Sequence, residues 1–344
     1  MTDKILTKGD PNQPTIIIQR SSGKLFLVVL LIFLGFSMLL NLGWLVLVAE
    51  LAVDADGPEE KFHSGDEYAE DKIARIEVGF TIMPPFTTRF LKTVEAVAED
   101  DAVKGVLLII DSPGGLVSDS HEIYHKLQHL SEKKPIYVQM KGIAASGGYY
   151  IAMGAGPDSP IYAEPTTWTG SIGVIIPRYD ATELAAKVGV TADSMATGPL
   201  KDTMNPLKKL TDREREVWSE ILDESFVQFL TVIDNGRKNL NMDQIRELAT
   251  GQVYTANQAL KNGLVDKISF EDETIKEFAI QLGLSEYQVV QYSYPLTLTE
   301  TILGASTKTS AAKIDPVSKL LESGSPRAMY LFGWPYGLQT GSVD

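Results

Sequence analysis

The feature that most constrains this chain is an uncharged apolar run at residues 25–49, LFLVVLLIFLGFSMLLNLGWLVLVA. Ser37 and Asn41 are its only clearly polar side chains. As a helix the run is about 37 Å long, enough to cross a bilayer core of about 30 Å. A cleaved signal peptide is the alternative, but its apolar region is usually about 7–15 residues long. The sequence therefore predicts one transmembrane helix at residues 25–49.

The charges on either side of this run predict its orientation. Residues 1–24 carry four basic and two acidic side chains, whereas residues 50–61 carry five acidic side chains and one lysine. Positively charged flanks stay in the cytoplasm. We therefore expect a cytoplasmic tail at residues 1–24, an acidic linker at residues 50–72, and the remainder of the chain outside the cytoplasm.

Composition excludes several classes of function. The net charge is −14 and no basic stripe is present, which argues against nucleic-acid binding. The chain has no cysteine, so disulfides, thiol nucleophiles and cysteine-bound metals are excluded. Histidine is scarce, with only His63, His121, His125 and His129.

Strand and helix patterns alternate between residues 73 and 290. KIARIEVGF, GVLLIID and PIYVQM have the apolar character of strands, and amphipathic segments lie between and after them. This alternation predicts an α/β domain with a largely parallel sheet. The pattern fades after residue 290, which leaves residues 291–344 as a tail of uncertain structure.

The segment HEIYH at residues 121–125 matches the H-E-x-x-H pattern of zinc proteases. On a helix, Ile123, Leu127 and Leu130 would share one face, and the histidines would lie on the opposite, solvent-exposed face. No histidine after His129 is available as a third ligand. We therefore favour surface histidines over a zinc site and predict no bound metal.

Ser146 in KGIAASGGYYIA is the candidate nucleophile, because it falls where a strand ends and a helix begins. Its small neighbours allow close approach of a substrate, and a helix N-terminus favours the negative charge that develops during attack. A helix cap with glycines for packing is the alternative. This stretch alone does not separate the two interpretations.

A serine nucleophile needs a base, and the order Ser, Asp, His of α/β hydrolases is impossible because no histidine follows His129. A lysine can serve if apolar surroundings keep it uncharged. Lys201 in TGPLKDTMNPL has apolar neighbours and is our choice. Lys141 would lie roughly 16 Å from Ser146 along an extended strand. Lys208 and Lys209 are adjacent charges typical of a solvated surface.

The segment DSPGG at residues 111–115 follows the strand GVLLII. Sites in parallel sheets lie at the carboxyl ends of the strands, and two glycines after a proline can direct backbone N–H groups at an anion. The same residues also make a tight turn between strand and helix, and both roles can hold together.

Taken together, DSPGG, AASGGYYIA, TGSIGV, GPLKD and GQVYTANQALKNGLVD resemble, in identity and order, the bacterial signal peptide peptidases of the type-A family. The resemblance covers roughly residues 73–290 and fits the short form with one catalytic domain. It implies a Clp-protease/crotonase-like fold in which Ser146 is the nucleophile and Lys201 the general base. Gly114 and the N–H of Gly147 would bind the oxyanion, and Ser171 would orient the lysine amine.

The resemblance also implies partners and location. Members of this family form homo-oligomeric rings in which neighbouring subunits complete each other's sites, and they cleave signal peptides and other hydrophobic peptides. We therefore expect a single-pass enzyme of the bacterial inner membrane that needs no metal or organic cofactor. Two alternatives stay open: an inactive homologue serving as a membrane scaffold or peptide-binding protein, and a crotonase-type acyl-CoA enzyme.

Overall fold

The computed structural model describes residues 23–53, 57–294 and 328–332. Its first element is helix α1, Gly23–Val53. Within it, Phe26–Val48 has a mean hydropathy of 2.5 and is not buried against any other described part of the chain. Among the described residues this is the one helix long and apolar enough to cross a membrane, and it includes most of the predicted run at 25–49.

The remaining elements form an α/β domain. The strands are β1 (Glu59–Gly65), β2 (Lys72–Val78), β3 (Val103–Ser112), β4 (Gly114–Leu116), β5 (Ile136–Ala145), β6 (Ile161–Ala163), β7 (Trp168–Gly170), β8 (Val253–Thr255), β9 (Lys267–Ile268), β10 (Gln288–Ser293) and β11 (Met329–Leu331). The helices are α2 (Phe86–Glu99), α3 (Val117–Ser131), α4 (Gly147–Ala152), α5 (Thr182–Lys187), α6 (Asp212–Gly236), α7 (Met242–Leu248), α8 (Ala256–Lys261) and α9 (Glu271–Gln281).

The main sheet has the order β1-β10-β2-β3-β5-β6-β9, and every pair except β1-β10 is parallel. The central strand β3 is an unbroken apolar run because both of its faces are covered. Its residues 106–110 are all fully buried. Helices α2, α3, α4 and α6 contribute to the larger core, and α9 covers the other face through Ile275, Phe278 and Ala279.

The domain begins earlier and ends later than the sequence predicts. Strand β1 lies in the segment assigned to the acidic linker, and its residue Glu59 pairs with Ser293 of β10. The predicted boundaries at 73 and 290 therefore leave out β1 and divide its antiparallel partner β10. Of the predicted tail, residues 291–293 belong to β10 and Met329–Leu331 form β11, while most of the rest lies outside the described residues.

The long strand β5 changes partner along its length, which creates the site. Its residues 138–140 pair with β6, whereas Ile143, Ala144 and Ala145 pair with β7. Strand β7 in turn pairs antiparallel with β8. The carboxyl ends of β3, β5 and β7 therefore meet at one edge, the usual position for a site in a parallel sheet.

Candidate active site

Ser146 lies between the last residue of β5 and the first residue of α4. Its N–H donates to the Gly170 carbonyl at 2.7 Å, and its carbonyl accepts from the Tyr150 N–H at 2.9 Å. These two bonds hold the residue at φ 55°, ψ −113°, a conformation that non-glycine residues rarely adopt. The side chain is buried with 1% exposure. A strained serine at the end of a strand is typical of a positioned nucleophile.

Ser171 is the second non-glycine residue with a positive φ, at 50°. It directly follows β7, as Ser146 directly follows β5, and Ala145 pairs with Gly170. The two serines are therefore neighbours across adjacent strands, whose backbones lie about 5 Å apart. The Ser171 N–H donates to the Gln252 carbonyl at 2.7 Å, which fixes the loop. The structure thus brings the predicted lysine-orienting residue next to the predicted nucleophile.

A segment near the C-terminus crosses this site as an extended strand. Strand β11 pairs antiparallel with β4, and on its other side Met329 exchanges two backbone hydrogen bonds with Ile175, at 2.9 and 3.0 Å. Further bonds run from the Val117 N–H to the Ala328 carbonyl at 3.1 Å and from the Phe332 N–H to the Pro113 carbonyl at 2.7 Å. We call the space filled by residues 328–332 the peptide groove.

The carbonyl oxygen of Tyr330 lies in a niche formed by Gly114 and Gly147. A Cβ atom on Gly114 would be 2.0 Å from this oxygen and 2.6 Å from the Gly147 nitrogen. A Cβ on Gly147 would be 3.0 Å from the same oxygen. Only glycine fits at Gly114, which also has φ +95°. The niche therefore brings a peptide carbonyl close to the residue after Ser146.

The hydrogen bonds at this niche favour the N–H of Gly115 as the donor to the peptide carbonyl, one residue after the predicted Gly114. The Gly114 N–H donates to Ser112 Oγ at 3.1 Å, so it is already engaged. Between β4 and β11, residue 328 is hydrogen-bonded to residue 117, and residue 332 to residue 113. Because hydrogen-bonded pairs in an antiparallel ladder recur at every second residue, Gly115 and Tyr330 form the pair between them. The N–H directed at the Tyr330 carbonyl is therefore that of Gly115, and Gly114 provides the space.

Lys201 lies in the turn that follows Gly198, and its side chain is exposed. Its neighbour Leu200 is 39% exposed. No hydrogen bond or ion pair joins the Lys201 amine to Ser146 or to another described residue of the chain. The sequence-based expectation of an apolar environment for this lysine is therefore not met within a single chain.

The other lysines considered above are held by acidic partners. Lys141 contacts Glu164 at 2.6 Å and Glu271 at 2.8 Å. Burial alone would lower the pKa of Lys141, but the hydrogen bonds that its amine donates to these carboxylates outweigh burial and raise the pKa. Lys208 pairs with Glu214 at 2.7 Å. Because both amines are paired with carboxylates, neither is suited to act as a neutral base.

The predicted exposure of the three helix histidines is confirmed. Ile123, Leu127 and Leu130 are buried, whereas His121, His125 and His129 are exposed. His125 and His129 face each other at 3.3 Å between their Nε2 atoms, and His121 Nδ1 contacts the Tyr150 hydroxyl at 2.7 Å. Partial burial, and then the neighbouring His125, lower the pKa of His121.

The aromatic pocket beside Ser146 was not predicted from the sequence. Tyr330 inserts its ring against Tyr150 and Phe229, and its hydroxyl donates to the Ser225 carbonyl at 2.8 Å. The short apolar run AMYLF was the available signal, but it lies in a segment without other recognisable pattern.

Comparisons with known proteins identify the family of this chain. The model of peptidase family S49 matches residues 128–285, and that of Clp protease matches residues 71–169. A relative in Enterococcus faecium that carries the name signal peptide peptidase SppA is 37% identical over 254 residues, which cover 71% of this chain and 73% of the relative. The chain belongs to peptidase family S49.

Two other relatives of this S49 member carry protease names. The protein named protease slr0021 in Synechocystis is 39% identical over 218 residues, covering 63% of this chain and 77% of the relative. The chloroplastic serine protease SPPA of Arabidopsis thaliana is 30% identical over 210 residues, covering 58% of this chain and 30% of the relative. The predicted Clp-protease-like α/β fold and the family resemblance are confirmed, and the relatives support a protease.

Proposed function

We propose that this chain is a membrane-anchored serine endopeptidase that cleaves hydrophobic peptides, including signal peptides, with Ser146 as nucleophile and Lys201 as general base. The observation that carries the proposal is the extended segment in the peptide groove. A peptide substrate would pair in the same way with Gly114–Leu116 on one side and Ile175 on the other. Main-chain pairing of this kind binds many sequences, as an endopeptidase requires.

The chemistry follows from the geometry of the niche. Ser146 Oγ forms a bond to the peptide carbonyl carbon, and its proton passes to the uncharged amine of Lys201. The negative charge on the carbonyl oxygen faces the N–H groups of Gly115 and Gly147, close to the N-terminus of α4. The C–N bond then breaks, and the leaving amine takes the proton. Water then attacks the carbonyl carbon of the ester and gives its proton to the Lys201 amine. The bond to Ser146 Oγ breaks, Oγ takes the proton back, and the acyl group leaves as a carboxylic acid.

A second copy of the chain supplies the lysine in this proposal. The segment that carries Lys201 exposes apolar side chains, including Leu184 at 66%, Val188 at 69% and Met195, which is fully exposed. A surface of this kind usually lies at an interface. Packing a second copy against it would remove Lys201 from water and favour its uncharged form. In a ring of subunits, each lysine would act on a neighbour's serine. Such a ring would both cover the exposed apolar surface and remove Lys201 from water.

The anchor fits the proposed substrates. Helix α1 would hold the enzyme in the bacterial inner membrane, where hydrophobic peptides accumulate, with the N-terminus in the cytoplasm and the catalytic domain outside. The name of the Enterococcus faecium relative supports signal peptides as substrates. No metal or organic cofactor takes part in the proposed reaction.

The test uses full-length protein in detergent micelles and a quenched-fluorescent hydrophobic peptide. Ser146→Ala and Lys201→Ala should each lower kcat/KM by about 1,000-fold or more, because both remove a group that acts in the transition state. Lys209→Ala, a nearby exposed lysine, is the matched control and should keep wild-type activity. Unchanged cleavage in Ser146→Ala would exclude the assignment. Absence of cleavage by the wild-type protein under all conditions would favour the inactive scaffold instead.

A further inference from the structure

Ser120 is a buried serine whose hydroxyl has no partner. It lies at the end of the first turn of α3 and has 0% exposure. Its Oγ atom makes no hydrogen bond with any described residue of the chain. Most buried hydroxyls in native proteins are hydrogen-bonded, because a polar group removed from water without a partner destabilises the fold. Alanine would fill nearly the same space without this penalty, so the hydroxyl requires an explanation.

The Ser120 hydroxyl lies beside the niche that holds the peptide carbonyl. A Cβ atom on Gly147 would be 2.6 Å from Ser120 Oγ and 3.0 Å from the carbonyl oxygen of Tyr330. The two oxygens therefore lie within 3.0 Å of one point, on the side of Gly147 where a side chain would project. Because this residue is a glycine, no side-chain atom of its own occupies that point.

The carbonyl in the niche is that of an intact peptide, and the Ser120 hydroxyl does not bond to it. Attack by Ser146 would make the carbonyl carbon tetrahedral, which moves its oxygen and gives it a negative charge. The donors that matter for catalysis are those directed at this displaced, charged oxygen. A serine hydroxyl changes position by rotation about one bond, and its oxygen moves by roughly 2 Å between staggered rotamers. The unpartnered hydroxyl can therefore turn toward the oxyanion as it forms.

We propose that Ser120 is a catalytic residue whose hydroxyl donates a third hydrogen bond to the oxyanion, beside the N–H groups of Gly115 and Gly147. This inference rests on the proposed function. A hydrogen bond to a charged oxygen is about twice as strong as one to a neutral oxygen, so the hydroxyl stabilises the transition state more than the bound peptide. The hydroxyl keeps its proton throughout, and the proton transfer between Ser146 and Lys201 is unchanged.

Ser120→Ala tests the hydroxyl alone, because alanine keeps the small size that packing beside Gly147 requires. In full-length protein in detergent micelles, we expect kcat for a hydrophobic peptide to fall about 100-fold while KM stays within about twofold of wild type, since the bond forms only in the transition state. Removing an unsatisfied buried hydroxyl should also raise the urea midpoint. Wild-type kcat in the folded variant would overturn the inference.

Thr87→Val is the matched control. The Thr87 hydroxyl is also buried without a partner among the described residues, but it belongs to α2 and is not among the atoms nearest to Gly114 or Gly147. The control should raise the urea midpoint as well and keep wild-type kcat. An equal loss of kcat in both variants would reflect the loss of any buried hydroxyl and would refute the role of Ser120.

A peptide aldehyde measures the oxyanion contact itself. Ser146 Oγ adds to the aldehyde carbon, its proton passes to the Lys201 amine, and the negatively charged oxygen of the tetrahedral adduct lies in the niche. Ser120→Ala should weaken inhibition by the aldehyde at least about tenfold. The corresponding peptide alcohol cannot form the adduct and should inhibit wild type and variant equally. An equal loss for aldehyde and alcohol would assign Ser120 to peptide binding and overturn the inference.

These outcomes separate the inference from the proposed function. Cleavage and aldehyde inhibition that are the same in wild type and Ser120→Ala would contradict the oxyanion role and leave the peptidase intact. A wild-type protein that neither cleaves peptide nor forms an aldehyde adduct would contradict both. Cleavage by wild type, with selective loss of kcat and of aldehyde affinity in Ser120→Ala, would support both.

Discussion

Replacing Gly114 by alanine is the sharpest test of the peptide groove. A Cβ atom at this position would lie 2.0 Å from the carbonyl oxygen of the residue in the groove and 2.6 Å from the Gly147 nitrogen. Both neighbours are backbone atoms, which cannot rotate away as a side chain would. The bound peptide must therefore retreat from the niche that holds its carbonyl.

The expected magnitude follows from the size of the clash. Ordinary van der Waals contact begins near 3.4 Å, so the peptide carbonyl must move by roughly 1 Å or more. A displacement of this size at a reacting atom costs about 100-fold in kcat/KM. The positive φ of 95° adds about 1–2 kcal/mol of backbone strain, which lowers the free energy of unfolding.

Gly283→Ala is the matched control, because Gly283 has φ +71° and a Cβ atom added there would meet no described atom within 4 Å. It carries the same backbone strain without the clash. We expect Gly283→Ala to lose about 1–2 kcal/mol in urea unfolding, and Gly114→Ala to lose at least as much because its Cβ also clashes with backbone atoms. Only Gly114→Ala should lose peptide cleavage. If Gly114→Ala cleaves peptide as well as Gly283→Ala, the groove as described is refuted.

Three further predictions concern stability and location. Burial alone would raise the pKa of Glu271, but hydrogen bonds from Arg75 and Lys141 outweigh it and lower the pKa to about 2. The stability from this carboxylate should therefore be present above pH about 4.3 and lost as pH falls toward 2, and Glu271→Gln should flatten this part of the urea-midpoint profile. Thr211 forms a capping box with Glu214 at the start of α6, so Thr211→Ala should cost about 1 kcal/mol in urea unfolding, and no loss would contradict the cap. Deleting residues 1–49 should move the protein from the membrane to the soluble fraction after ultracentrifugation, and unchanged sedimentation would show that another segment binds the membrane.

Local patterns predicted much of the fold. The apolar run at 25–49 is part of α1, and the amphipathic segments after the predicted strands include α6 and α7. The burial of Ile123, Leu127 and Leu130 follows from spacing on a single helix. The position of Ser146 between a strand and a helix could be predicted because the strand pattern and the helix pattern occupy consecutive residues. Each of these predictions depends on residues close together in the chain.

Pairing between distant segments was not predictable in this way. Strand β1 has no continuous apolar pattern, and it is a strand because β10 offers an edge more than 200 residues later. Strand β11 likewise depends on β4 and Ile175 for its partners. The exposure of Lys201 could not be predicted from apolar neighbours in the sequence, because those neighbours are themselves partly exposed in a single chain. In the proposed ring, a neighbouring subunit would bury this lysine.

The most direct measurement mixes two inactive variants. Full-length Ser146→Ala and Lys201→Ala proteins are dissociated, combined in equal amounts and allowed to reassemble before the cleavage assay. If each site takes its serine from one copy and its lysine from the next, random mixing should restore about a quarter of wild-type activity. Activity no higher than that of the separate variants, with mixed assemblies demonstrated by mass, would contradict a site shared between subunits.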